Sequence, residues 1–262
     1  AFVGQFGPLA TPEKVKDALL KLGFADVYEV AVGADAGAVA EAHHFAHKVA
    51  TGEERFLATS CCPSWSVMAK KCFPELADYV SKELTPMVAT ARTIKRDRPE
   101  AAIAFIGPCT AKKLEAMRRT VESNVDFVIT FEELMGIFAA FDIQFASETE
   151  SQFVDHVTSA GRGYAVAGGV ANAITSCVNE LYPELEVKVD RAEGLKNCKK
   201  MLTLAKAGRR EGYLLEGMAC PGGCIGGCGT MLQPAKAQAQ VDKFAAAAKR
   251  KTPTQNDGRR GE

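Results

Sequence analysis

Nine cysteines, at positions 61, 62, 72, 109, 177, 198, 220, 224 and 228, are the residues of this 262-residue chain best suited to chemistry. Six of them fall in three motifs, TSCCPSW (59–65), FIGPCTAKKLE (105–115) and EGMACPGGCIGGCG (216–229). Four thiolates drawn from distant segments can ligate a cubane iron–sulfur cluster. The third motif adds six glycines, and backbone without Cβ atoms lets N–H groups approach cluster sulfides and offset their charge. A structural zinc site usually shows paired Cys-x-x-Cys knuckles. The cysteines here are separated by zero, three and three residues, which favours iron–sulfur over zinc and leaves inert core thiols as the remaining reading. An odd cysteine count in a chain of this length, with no export signal, argues for a reducing compartment rather than a disulfide-stapled scaffold.

The elements that must position these motifs alternate between helices and short apolar strands. Thr11-Pro12-Glu13 caps a helix that Gly23 closes. Residues 26–32 read as a strand, 35–50 as an alanine-rich helix and 56–59 as a strand running into the first motif. Pro86 opens a helix to Lys95. The buried strand 101–106 leads into the second motif. A strand at 126–129 precedes the capping box of Thr130 and Glu133. Residues 164–167 read as a strand before Gly168-Gly169 and a helix to Leu181, 186–190 as a strand and 194–207 as a helix. The strand 212–216 runs into the third motif, and a last helix covers 235–249. This alternation, with near-continuous apolar strands, predicts an α/β fold with parallel sheets flanked by helices. All three motifs then follow strands, where open α/β sheets bind ligands.

Composition narrows the function classes. Thirty-two basic side chains balance 32 acidic ones, so the net charge is zero and nothing marks a nucleic-acid or anionic-membrane partner. At 47% hydrophobic and 24% charged the chain is globular in composition, and no apolar run is long enough to span a bilayer. The first residues carry neither an initiator Met nor a signal sequence and begin in mid-pattern, which suggests a fragment or processed product of a cytoplasmic protein. The polar, basic end, 251–262, reads as a disordered tail after a catalytic domain over 1–250.

The three motifs, in this order, closely resemble the signatures of the catalytic domain of iron-only (FeFe) hydrogenases, across residues 41 to 234. The resemblance implies two α/β lobes with the cofactor in the cleft between them. It implies that Cys62, Cys109, Cys220 and Cys224 hold a 4Fe-4S cluster. Cys224 would bridge it to a two-iron subcluster carrying CO, cyanide and azadithiolate, the whole being the H-cluster. Cys61 would pass protons to the azadithiolate amine, since a thiol whose ordinary pKa is about 8.5 suits a neutral relay. Lys112 would donate to a cyanide ligand, and Met218, Pro108 and Pro86 would shape the two-iron pocket.

The family's proton path continues from the thiol through Glu41 and Ser81 and then to a second glutamate one helical turn on. That position is His44 here, and a histidine also carries protons. Two further departures are Gly107, where a methionine often precedes Pro-Cys, and GGCGTMLQP in place of GGGQP. The TSCCPSW and GPCTAKK forms resemble those of the less-studied branch of the family. The expected activity is reversible proton reduction and dihydrogen oxidation in an anaerobic setting. Its partners would be a ferredoxin or other iron–sulfur carrier and hydrogenase maturation proteins, with the N-terminal ferredoxin-like domains lacking. A slow dihydrogen sensor and a non-enzymatic iron–sulfur assembly relative stay open as alternatives.

The other conspicuous residues have plainer readings. Cys228 reads as a spectator beside a satisfied cubane, and Cys72, Cys177 and Cys198 as small core hydrophobes. His43 and His47, a turn apart, lack the glutamate and third ligand of a zinc pair.

Overall fold

The computed structural model describes residues 1–256 apart from 152, 154 and 155. The helices are α1 (Pro12–Lys21), α2 (Ala31–His44), α3 (Pro63–Cys72), α4 (Pro86–Asp97), α5 (Ala111–Met117), α6 (Phe131–Ala140), α7 (Ser159–Gly163), α8 (Gly169–Leu181), α9 (Leu195–Lys206) and α10 (Pro234–Ala246). The strands are β1 (Phe56–Ala58), β2 (Ala104–Ile106), β3 (Phe127–Ile129), β4 (Lys188–Glu193) and β5 (Tyr213–Met218). They form two parallel sheets, one ordered β1-β5-β4 and one pairing β2 with β3. The α/β architecture with parallel sheets is thus as the sequence predicts.

Each sheet is the middle layer of a lobe. In the larger lobe the strand period of two sends neighbouring residues to opposite faces. Leu57 and Leu214 pack under α2 and α8, with Ala38, Ile174 and Val178. Phe56, Ala58 and Leu215 face α3 and α9, against Trp65, Met68 and Leu202. In the smaller lobe Ile106 and Ile129 pack with Leu134 and Phe138 of α6 and Leu19 of α1, while Phe105 and Val128 face Met87 and Val88 of α4. Helices α2 and α4 join the lobes at a close crossing. A Cβ on Gly33 would collide with the Pro86 carbonyl and the Thr90 hydroxyl, so only glycine lets the two backbones meet there.

Local signals behave as expected where capping chemistry sets them. Thr11 accepts from Lys14 N at 3.3 Å, and Thr130 and Glu133 form the reciprocal capping box at 3.2 and 2.8 Å. Two predicted strands are absent. Residues 26–30 form an irregular approach to α2, which starts at Ala31, because the alanine-rich pattern reaches further back than its densest part. Residues 164–167 make turns: Ala165 O and Ala167 N bond Ile225 N and Gly222 O at 3.2 and 3.0 Å. Val166 makes an isolated antiparallel bridge to Gly223, and this half-buried run is seated against the cysteine loop instead of in a sheet. Strand β2 is half-buried rather than buried, since residues 101–106 also line a cavity.

The disordered tail proposed for 251–262 also needs correcting. Arg250 O and Lys251 O accept from Ser159 N and Ala160 N, Pro253–Gln255 form a 3-10 turn, and Asn256 Nδ2 donates to Asp35 at 2.7 Å. A buried carboxylate needing donors thereby fixes this polar segment; residues 257–262 lie outside the described residues. No helix among the described residues is long and apolar enough to cross a membrane.

Candidate cluster-binding site

Three strand ends converge on one cavity. Strand β1 gives way to Thr59-Ser60-Cys61-Cys62, and Cys62 stands at the N-cap of α3 with Pro63 as its first helical residue. Strand β2 ends at Ile106, just before Gly107-Pro108-Cys109. Strand β5 ends at Met218, and a glycine-rich turn then carries Cys220 and Cys224. The second and third segments are clamped together, with Gly229 N donating to Pro108 O at 3.0 Å. A Cβ on Gly227 would stand 2.5 Å from the same carbonyl. Gly223, at φ +89°, lies in the left-handed region and against Ala167 N, so the turn at Cys224 requires glycine twice over.

The cavity has a volume of about 390 Å³ and is lined by Cys61, Cys62, Cys109, Cys220, Cys224, Lys112, Met218, Pro86 and Pro108. Every residue assigned to the cluster and its pocket from sequence therefore faces one space. The thiols feel each other. Burial pushes Cys220 up to about 11 and Cys224 up to about 12, and the neighbouring thiols Cys62 and Cys109 add to both shifts. Burial also raises Cys109, with Cys62 contributing and backbone N–H groups of Ala111 and Lys112 opposing. Three buried thiols that resist ionisation, Cys109, Cys220 and Cys224, with Cys62 beside them, are a donor set that a cationic iron cluster would complete. Among the described residues no three metal-binding side chains meet at the spacing of a single ion. A four-iron cubane holds its thiolates further apart than one ion does, so four thiols lining one cavity without meeting at a point are compatible with a cluster.

On one side of the cavity three protonatable side chains lie together. Cys61 is raised well above the usual thiol range by burial first and then by Glu41. Glu41, on α2, is 4% exposed, and burial pushes it up to about 7 while the Ser81 hydroxyl, donating to it, pulls the other way. The structure thus brings Cys61, Glu41 and Ser81 together. His44 points elsewhere: its Nε2 meets Glu54 at 2.8 Å, half-exposed at the surface.

On another side, Lys112 Nζ sits 2.6 Å from Glu115 Oε2 and 3.4 Å from Cys61 O, and the Thr85 hydroxyl donates to the same Glu115 oxygen at 3.2 Å. Lys112 is buried at the cavity wall with its ammonium paired to Glu115.

The comparisons agree with this geometry. The model of the family described as "Iron only hydrogenase large subunit, C-terminal domain" matches residues 1–228. The chain belongs to this iron-only hydrogenase family. It is 29% identical to the NADP-reducing hydrogenase subunit HndD of Solidesulfovibrio fructosivorans, over 82% of this chain and 45% of that protein. It is 28% identical to the periplasmic [Fe] hydrogenase large subunit of Nitratidesulfovibrio vulgaris, over 86% of this chain and 63% of that one. A variant of [FeFe]-hydrogenase HydA1 from Chlamydomonas reinhardtii superposes with a TM-score of 0.76 at 25% identity, covering 96% of this chain and 82% of that one. The cytosolic Fe-S cluster assembly factor NAR1 of Kluyveromyces lactis matches too, at 35% identity over 35% of this chain and 19% of that protein. The chain spans about half the length of the curated hydrogenases it matches.

As a member of the iron-only hydrogenase family, the chain calls for an iron–sulfur cofactor, and the cavity described above is where its thiols gather. The family's departures have local consequences. At Gly107 a Cβ would stand 2.6 Å from the Phe105 ring, so the aromatic side chain occupies the space a larger residue there would use. Cys228 is exposed and lies 3.2 Å from the Thr110 hydroxyl, outside the cavity lining. Cys177 and Cys198 are core residues as expected; Cys72 is exposed, because it ends α3 on the solvent side. His43 Nδ1 and His47 Nε2 both bond the Tyr182 hydroxyl, at 2.7 and 2.9 Å.

Sequence reasoning overlooked three residues at the site. Glu115 lies three residues after Lys112 on one helix, a spacing that places the two side by side. Tyr164 is raised by burial and by Glu41 and Cys61 beside it. Glu216, 1% exposed, accepts from Gly168 N and Ala171 N at 2.6 and 2.7 Å and so fixes the start of α8 against β5. Tyr164 carries no signal in its local sequence, and Glu216 stands at the head of the third motif with nothing in its type to show that it holds α8.

Proposed function

We propose that this domain catalyses the reversible interconversion of protons, electrons and dihydrogen at an H-cluster. Cys62, Cys109, Cys220 and Cys224 would hold the 4Fe-4S part, and Cys224 would bridge it to the two-iron subcluster with its CO, cyanide and azadithiolate. When bound, the H-cluster supplies the redox chemistry. The protein's residues do the rest. The Cys61 thiol, neutral because buried, hands a proton inward and is resupplied by Glu41, whose carboxyl near 7 is both donor and acceptor at neutral pH. Ser81 relays to Glu41 through its hydroxyl. Lys112, held by Glu115, would offer its ammonium to anionic ligands of the bound group, and Met218, Pro86 and Pro108 would wall the pocket around it.

The observation that carries this reading is the meeting, in one cavity, of the four ligand thiols with Cys61, Lys112 and Met218. The electron partner would be a ferredoxin or another iron–sulfur carrier, maturation proteins would deliver the two-iron subcluster, and the setting would be anaerobic and cytoplasmic. The match to an assembly factor supports a second reading, a cluster protein without the two-iron site. The retention of Cys61, Lys112 and Met218 around the cavity favours catalysis over it. Dihydrogen evolution by the protein matured with the two-iron cofactor, driven by a reduced viologen dye, is expected. A normal 4Fe-4S signal with no dihydrogen would favour the assembly reading.

A further inference from the structure

The relay Cys61–Glu41–Ser81 needs an outlet to water, and α2 does not provide one at His44. That imidazole is engaged by Glu54. The segment between α3 and α4 offers another carboxylate. Ser81 is 2% exposed and is anchored through its backbone, Ser81 N donating to Ala58 O at 2.7 Å. Its hydroxyl oxygen accepts from Glu83 N at 3.1 Å. The Ser60 hydroxyl, one residue before Cys61, donates to Glu83 O at 3.0 Å, tying this loop to the thiol segment.

Glu83 is half-buried, and among the described residues its carboxylate has no salt bridge. A partly solvated carboxylate without a cation can load and release protons, whereas an ion-paired one holds a fixed state. Its amide donates to the Ser81 hydroxyl oxygen, so its side chain branches from the backbone atom next to that hydroxyl. Its charge also reaches Glu41, where Glu83 and Glu216 both oppose ionisation.

We propose that Glu83 is the outer proton carrier of the relay, in place of a residue on α2. The inference rests on the hydrogenase reading. In proton reduction the Glu83 carboxylate takes a proton from water and passes it to Ser81 Oγ as the Ser81 hydroxyl proton moves to Glu41. One O–H bond forms on Ser81 while another breaks, and no electrons move. In dihydrogen oxidation the order reverses. The same loop continues through Thr85, bonded to Glu115, to Pro86 at the cavity wall, so one stretch of chain serves both the relay and the pocket.

The test uses the full chain matured with the two-iron cofactor. Glu83→Gln and Glu83→Ala should lower dihydrogen evolution by about a hundredfold, as loss of a proton-transfer group does. CO and cyanide infrared bands should stay unchanged. Glu83→Asp should retain most of the rate, and a small diffusible acid such as imidazolium should restore Glu83→Ala, which a purely structural defect would not allow. A second readout needs no turnover: deuterium exchange of the protonated Glu41 carboxyl band, read by infrared without the two-iron subcluster, should slow in Glu83→Ala. Parent-like rate and exchange in Glu83→Ala, with loss of both in His44→Gln, would overturn the proposal and leave the hydrogenase reading intact. If the parent itself shows no CO or cyanide bands and no turnover, the hydrogenase reading falls; the exchange readout still decides whether Glu83 connects Glu41 to water.

Discussion

The Lys112 ammonium lies 2.6 Å from the Glu115 carboxylate one turn along the same short helix, and both are about nine-tenths buried. A buried ion pair is held less by net attraction than by the cost of exposing either partner alone to a dry wall. The pair therefore fixes a cation at the cavity wall. Replacing Lys112 with Met should leave Glu115 unpaired and destabilise the fold by about 3–5 kcal/mol. Replacing both with apolar residues should cost less than either single change, which a double-mutant cycle by denaturant unfolding would read. Additive single effects would mean that the two side chains do not act as a unit.

Cys61→Ala should abolish most dihydrogen turnover while leaving the cluster assembled, because Cys61 lines the cavity as a thiol kept neutral by burial and, on the proposed assignment, would not ligate the cubane. Iron content and CO and cyanide bands check the second half of that statement. An unchanged rate would remove Cys61 from the relay.

Cys224→Ala should lose the two-iron subcluster, since Cys224 alone would join the two parts. Persistence of the CO and cyanide spectrum in this variant would contradict the assignment.

Glu41 makes stability depend on pH in a defined direction. Its folded pKa is raised from 4.5 to about 7, so between those values the folded state binds more protons than the unfolded one. Stability should therefore fall as pH rises through that window. The loss should level off above about 7, at most about 3 kcal/mol from the size of the shift. Glu41→Gln should flatten that slope in urea unfolding of the protein from pH 5 to pH 8. A wild-type slope of the opposite sign there would mean that Glu41 is solvated.

The site was legible in the sequence to the extent that its residues follow short apolar strands. Phe56–Ala58, Ala104–Ile106 and Tyr213–Met218 announce themselves by composition, and the cysteines come just after each. Thr130 and Glu133 were legible because a capping box is a local bargain between two side chains and two amides. The stretch 164–167 was not, because an apolar run buried against a loop looks the same as one buried in a sheet. Asn256 was misjudged for a related reason. The partner that orders it, Asp35, is 221 residues away, and polar composition gives no sign of a buried carboxylate waiting for a donor. Glu83 went unnoticed because its role depends on where Ser81 places its hydroxyl.

The measurement that bears most directly on the central claim is an infrared spectrum of the protein matured with the two-iron cofactor. It would be taken in the region where CO and cyanide stretch and polypeptide does not absorb. The account predicts sharp CO and cyanide bands that Cys224→Ala abolishes. An empty region from protein with a full 4Fe-4S signal would contradict it and would leave a cubane protein without a catalytic subcluster.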